Sequence, residues 1–111
     1  MRKLTNDHSY VQKLVKEGTI TKEEAEQHPK KNMLMKALGC TAFLEPDVMV
    51  KGFQKNDILV MCSDGLTNMV SDEEIYNIAK GDIYVAARDL IDRANQNGGV
   101  DNITVIILVN N

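Results

Sequence analysis

Two runs in this chain are apolar almost without interruption: Ile58-Leu59-Val60-Met61-Cys62, and Ile103-Thr104-Val105-Ile106-Ile107-Leu108-Val109. Neither alternates with polar residues, so both read as strands buried on both sides. Elsewhere the apolar positions recur at helical spacing. Val11, Leu14 and Val15 predict a short helix that Asp7 or Ser9 can cap and Gly18 can stop. Thr21-Lys22-Glu23-Glu24 has the capping-box pattern, and the helix it opens must end before Pro29. Lys30-Lys31-Asn32 reads as a polar loop. A second box, Ser71-Asp72-Glu73-Glu74, is followed by Ile75, Ile78 and Ala79 on one face until Gly81. A longer helix is predicted over about 83–96, with Val85, Ala86, Leu90, Ile91 and Ala94 inward and Asn97-Gly98-Gly99 ending it. Segments 33–38 and 47–53 are further candidate strands, the latter alternating at Val48 and Val50. Gln54-Lys55-Asn56-Asp57 is a turn into the strand at 58–62.

The ends of the two apolar runs carry the chemistry. The first run leads into Ser63-Asp64-Gly65-Leu66, and the second is preceded by Gly98-Gly99-Val100-Asp101-Asn102. If the runs pair as antiparallel neighbours, both aspartates emerge at one edge of the sheet. Two carboxylates there, with no cation nearby in sequence, repel unless protonated or bridged by a metal. An all-oxygen pair favours a hard divalent cation over zinc. A plainer reading stays open: Asp64 as a turn residue ending a strand, and Asp101-Asn102 as an Asx-turn after a helix. Ser63 is poorly suited as a nucleophile, since no general base adjoins it and the Gly-x-Ser-x-Gly elbow is absent. His8 and His28 read as surface or local capping residues.

The same residues carry a family resemblance. Cys62-Ser63-Asp64-Gly65-Leu66-Thr67-Asn68, then Gly98-Gly99-Val100-Asp101-Asn102-Ile103-Thr104-Val105, resembles the C-terminal half of a bacterial type 2C metal-dependent serine/threonine protein phosphatase. Leu4-Thr5-Asn6-Asp7-His8-Ser9 and Leu34-Met35-Lys36-Ala37-Leu38-Gly39 agree with it, so four motifs stand in family order. The family's Asp-Gly-x-Gly-Gly motif, phosphate-binding arginine and Gly-Asp-Ser-Arg segment do not occur, so the chain reads as half an enzyme, expected to be inactive alone. The resemblance implies an α+β fold. It would be the β/α half of a four-layer α/β/β/α sandwich, mostly antiparallel, over about 33–111, with a helical flap over about 7–32. The whole of 1–111 would then be one domain fragment. It implies Asp64 and Asp101 as ligands of one of two Mg²⁺ or Mn²⁺ ions, with Asp64 also helping to hold a further, weaker metal. Water activated between the two ions would hydrolyse phosphoserine or phosphothreonine in a phosphoprotein substrate. Asp7 is read first as a helix cap and second as a residue near the substrate cleft, where Ser63, Gly65 and Asn102 also belong. The flap would tune substrate choice.

Composition narrows the class further. Of 111 residues, 43% are hydrophobic and 26% charged, ordinary values for one globular domain able to bury about 60–70% of its unfolded surface. No apolar run approaches the ~20 residues of a membrane span, and Met1-Arg2-Lys3 leads into polar residues rather than a signal-peptide core. Cys40 and Cys62 read as small buried hydrophobes, favouring a reducing cytoplasm, and the six methionines as core filler. Residues 1–36 hold eight Lys/Arg against five Asp/Glu, and residues 37–111 hold five against eleven. That split gives a solvated helical face or an arm for an acidic or phosphorylated partner; it lacks the aromatic interleaving of a nucleic-acid platform. The two later helices can cover one sheet face only. The other calls for a partner chain, for residues 7–28 folded back over it, or for self-association. Two further readings therefore stand beside the phosphatase: a truncated non-catalytic module that binds a partner or the complementary half through its bare sheet, and a small divalent-metal-binding domain.

Overall fold

The apolar runs do pair. In a computed structural model, which describes every residue except Asn32 and Cys40, β1 (Ile58–Cys62) and β2 (Val105–Val109) form a two-stranded antiparallel sheet. The register runs from Ile58 opposite Val109 to Cys62 opposite Val105. It is extended at one end by the Asn56 and Asn110 backbones (Asn56 amide to Asn110 carbonyl, 2.6 Å) and at the other by the Ser63 amide donating to the Thr104 carbonyl (3.0 Å). Asn56 sits at φ 69°, a left-handed position that asparagine tolerates in the turn into β1.

The chain divides into two compact units, Arg2–Met49 and Val50–Asn111, the second also including Met1. In the second, three helices follow β1: α3 (Asp64–Thr67), α4 (Asp72–Ala79) and α5 (Ile83–Gln96). The Ser71–Glu74 capping box is formed at α4, and Asp82 caps α5 by accepting from the Tyr84 amide. The amphipathic pattern buries Ile75 and Ala79 of α4 and Ala86, Leu90 and Ala94 of α5. Leu66, Val70, Ile75, Leu90 and Ala94 make the core, against which Val60, Ile103, Val105 and Ile107 pack. Leu66 and Leu90 are fully buried, each such side chain worth about 1.5–3 kcal/mol of removal from water. Arg93 of α5 donates twice to Glu74 Oε1 of α4, at 2.7 and 2.9 Å, tying the helices at the surface.

Several expectations need correction. The strands are not buried on both sides. Helix α5 lies on β2, and the sheet face carrying Val60, Val105 and Ile107 meets the core. The opposite face leaves Met61, Ile106 and Leu108 about half exposed. Cys62 is exposed rather than buried, and Cys40 lies outside the described residues. Of the methionines only Met69 packs against the core.

In the first unit, α1 (Tyr10–Lys16) and α2 (Lys22–Glu26) pack together. Ser9, not Asp7, caps α1 by accepting from the Gln12 amide; Asp7 instead meets Lys3 at 3.5 Å. The Thr21–Glu24 box is complete at α2. Residues 33–38 form no strand. They give only an isolated bridge, Ser9 to Leu34, through the Tyr10 amide to Met33 (2.8 Å) and the Met35 amide to His8 (2.6 Å). Residues 47–53 are not a strand either: Val48 and Val50 are 87% and 95% exposed. Alternation describes what a strand would look like, but a strand also needs a ladder partner and a face to pack on. His8 Nε2 meets Asp47 Oδ2 at 2.6 Å, and Lys36 lies 3.6 Å from Asp47 Oδ1, holding that carboxyl below its usual range. His28 accepts from the Lys30 amide, the local capping role expected of it.

Candidate metal centre

Both aspartates leave the sheet at the same end. Past the Cys62–Val105 pair, the ladder continues through Ser63 opposite Thr104, and the chain then diverges into α3 on one side and back toward Asp101 on the other. Asp64 is the first residue of α3, an unanticipated four-residue helix at a position that reads as a turn. Its carboxylate is exposed and, among the described residues, has no hydrogen-bond or ion-pair partner. Asp101 follows the end of α5. There Gly98 (φ 132°) and Gly99 (φ 53°) take conformations that L side chains resist, and their amides close onto the Asn95 and Ala94 carbonyls. The Asn97 side chain fastens the same turn to the Met69 carbonyl at 2.7 Å. Asp101 Oδ1 accepts from the Asn102 amide at 2.7 Å, leaving the other oxygen of the exposed carboxylate open.

Ser63, Gly65 and Asn102 are brought together here as well. The Ser63 hydroxyl accepts from the Thr104 amide (3.0 Å) and donates to the Asn102 carbonyl (3.4 Å). Gly65 is buried against the Asn102 backbone. A Cβ there would collide with the Asn102 carbonyl oxygen and stand 3.0 Å from its carbon. Glycine is what lets α3 approach this loop so closely. Asp7 belongs to the first unit, on a shallow cavity of about 260 Å³ whose walls include His8, Lys16, Lys36 and Asp47. Thr104 had no place among the sequence candidates. Its signal was available, because the register that pairs the two runs also sets it opposite Ser63.

The donor set fits part of a site for a hard cation. Two carboxylates, with no lysine or arginine paired to either among the described residues, stand at one sheet end beside the Ser63 hydroxyl and the Asn102 carbonyl, oxygen donors that suit a hard cation. Among the described residues no group of three or more His, Cys, Asp or Glu side chains is placed to hold a metal, so these two acids do not complete a coordination shell. No helix among the described residues is long and apolar enough to cross a membrane.

Comparison with known proteins gives this geometry a context. A serine/threonine phosphatase, stp, of Listeria innocua is 46% identical over 113 residues, covering 100% of this chain and 45% of that protein. A serine/threonine phosphatase of S. agalactiae superposes with a TM-score of 0.88 at 43% identity, covering 96% of this chain and 45% of that one. The catalytic domain of the serine/threonine protein phosphatase PstP, solved in complex with two manganese ions, superposes with a TM-score of 0.81 at 37% identity, covering 94% of this chain and 43% of that one. The chain thus spans about half the length of the relatives it matches. The profile of the Protein phosphatase 2C family matches residues 29–103, which take in β1, Asp64 and Asp101, and the chain belongs to that family.

Proposed function

We propose that this chain provides one side of the active site of a metal-dependent protein serine/threonine phosphatase, with Asp64 and Asp101 as ligands of a shared Mg²⁺ or Mn²⁺. The observation that carries the proposal is the convergence of the two aspartates at one end of the β1–β2 pair, free of any basic partner among the described residues. The family is metal-dependent, and the manganese-bound relative supports a site for more than one ion. When bound, such an ion supplies Lewis acidity, lowering the pKa of coordinated water and screening phosphoryl oxygens.

The chain's own part is to hold and orient. Asp64 and Asp101 provide fixed negative charge, and Gly65 lets α3 close on the Asn102 loop beside them. For Asp7 a role near the substrate rests on the family resemblance alone. The high TM-scores support placing β1 and β2 in one layer of a four-layer α/β/β/α sandwich, with the face of Leu59, Met61, Ile106 and Leu108 turned to a second sheet.

The test is a chimera in which residues 1–111 are joined to the portion of the L. innocua relative they do not match. It should hydrolyse a phosphothreonine peptide with Mn²⁺, and Asp64→Asn should remove most of that activity without unfolding it. A folded chimera without turnover would leave the partner-binding module as the better reading. Full turnover by the Asp64→Asn variant would remove Asp64 from the site.

A further inference from the structure

We propose that Ser63 is a positioning residue, a hydroxyl clasp that sets Asp64 and Asp101 at the spacing a shared cation needs. The inference rests on the metal reading above and adds a residue that acts through the two ligands. Among the described residues, three helices have serine at the N-cap. Ser9 and Ser71 use their hydroxyls in the ordinary way, accepting an amide from the first turn of the helix they cap. Ser63 makes no side-chain cap bond to α3, although its backbone is in the same extended conformation (φ −75°, ψ 164°).

Its hydroxyl is turned across the sheet instead. It accepts from the Thr104 amide at 3.0 Å and donates to the Asn102 carbonyl at 3.4 Å, while the Ser63 amide donates to the Thr104 carbonyl at 3.0 Å. Three hydrogen bonds from the residue before Asp64 thus reach residues just after Asp101. The turn leading into Asp101 is tied to α5 by the Gly98 and Gly99 amides and to the Met69 carbonyl by the Asn97 side chain, and the Ser63 hydroxyl fastens the far side of Asp101 to the end of β1. Between Asn97 and Asp101 stand Gly98 and Gly99 in left-handed conformations and Val100, 77% exposed. Five paired positions hold the β1–β2 register without this hydroxyl, so its loss should loosen the 101–104 segment and leave the sheet in place. A hard cation is exacting about the geometry of its oxygen ligands, so loosening one carboxylate relative to the other lowers affinity before it lowers stability.

The test compares the ¹⁵N-labelled chain with Ser63→Ala and Ser63→Thr, the latter keeping the hydroxyl at a backbone conformation that threonine favours. Without metal, hydrogen exchange at the Thr104 amide should quicken roughly tenfold in Ser63→Ala, with Leu90 unchanged, and return toward the original rate in Ser63→Thr. With Mn²⁺ as the probe, amides at 64–66 and 101–103 should broaden together in the unaltered chain. The midpoint should rise roughly tenfold in Ser63→Ala and recover in Ser63→Thr. An unchanged Mn²⁺ midpoint in Ser63→Ala, or failure of threonine to restore it, overturns the positioning role. Absence of common broadening in the unaltered chain overturns the metal reading itself. The exchange arm then shows separately whether the clasp exists.

Discussion

Gly65→Ala tests how closely α3 and the Asn102 loop must approach. Gly65 is buried, and its φ lies outside the left-handed range, so alanine meets no conformational strain there. The obstacle is space. The added methyl would collide with the Asn102 carbonyl oxygen, lie 3.0 Å from the carbonyl carbon and touch Ile103 Cγ1 at 3.4 Å. The first two are backbone atoms, which cannot rotate aside, so the loop itself must retreat. Overpacking of this kind costs about 1–3 kcal/mol. Retreat also stretches the Thr104–Ser63 hydrogen bonds, each worth about 0.5–1.5 kcal/mol net. A loss of about 3 kcal/mol follows, or a fall in Tm of more than about 10 °C for a domain of this size. Urea unfolding followed by circular dichroism measures it. Gly52→Ala is the control, since a methyl there meets nothing within 4 Å, and its effect should stay within about 0.5 kcal/mol. Equal stability of Gly65→Ala and the control would refute the close approach and the geometry built on it.

Three further outcomes follow from the same structure. The 111-residue chain alone should show only background hydrolysis of an aryl phosphate with Mn²⁺, because two carboxylates do not fill a coordination shell; robust turnover lost in Asp64→Asn would show that it carries a complete site. Met61, Ile106 and Leu108 share one half-exposed apolar sheet face, so light scattering should find self-association of the chain, reduced by Met61→Lys with Ile106→Lys; a monodisperse monomer before substitution would contradict this. Glu74 is held below its ordinary value of 4.5 by the Arg93 guanidinium first and the Ser71 amide second. Its lowered value means that the stabilisation is present above pH 4.5 and is lost as pH falls through the lowered value. The stability gap between the native chain and Glu74→Gln should therefore close in acid, and a gap that widens there would refute the assignment.

The parts legible in the sequence were those fixed by local chemistry or by continuous runs. The capping boxes at Thr21 and Ser71 and the span of α5 follow from residues within one or two turns of each other. The 58–62 and 103–109 runs announced themselves as partners, and their antiparallel pairing brought Asp64 and Asp101 to one end as expected. What escaped depended on partners far along the chain. Apolar alternation at 47–53 looked like a strand, yet nothing lies opposite it in a ladder. A glycine at the second position of α3 disguised a helix as a turn. Exposure of Met61 follows from a sheet whose helices cover only the opposite face, whereas Cys62 shares the core-side face with Val60 and is exposed at the end of β1. The Ser63 clasp needed the register as well as the residues.

The central claim is that Asp64 and Asp101 hold one divalent cation between them. Its most direct test is a crystal of the chain grown with Mn²⁺ and measured at the manganese edge. An anomalous peak should lie between the two aspartates, with at least one oxygen of each within the ~2.0–2.6 Å range of hard-cation ligands, and Asp101→Asn should weaken or abolish it. A peak touching only one aspartate, or none at the end of the β1–β2 pair at saturating Mn²⁺, would contradict the account.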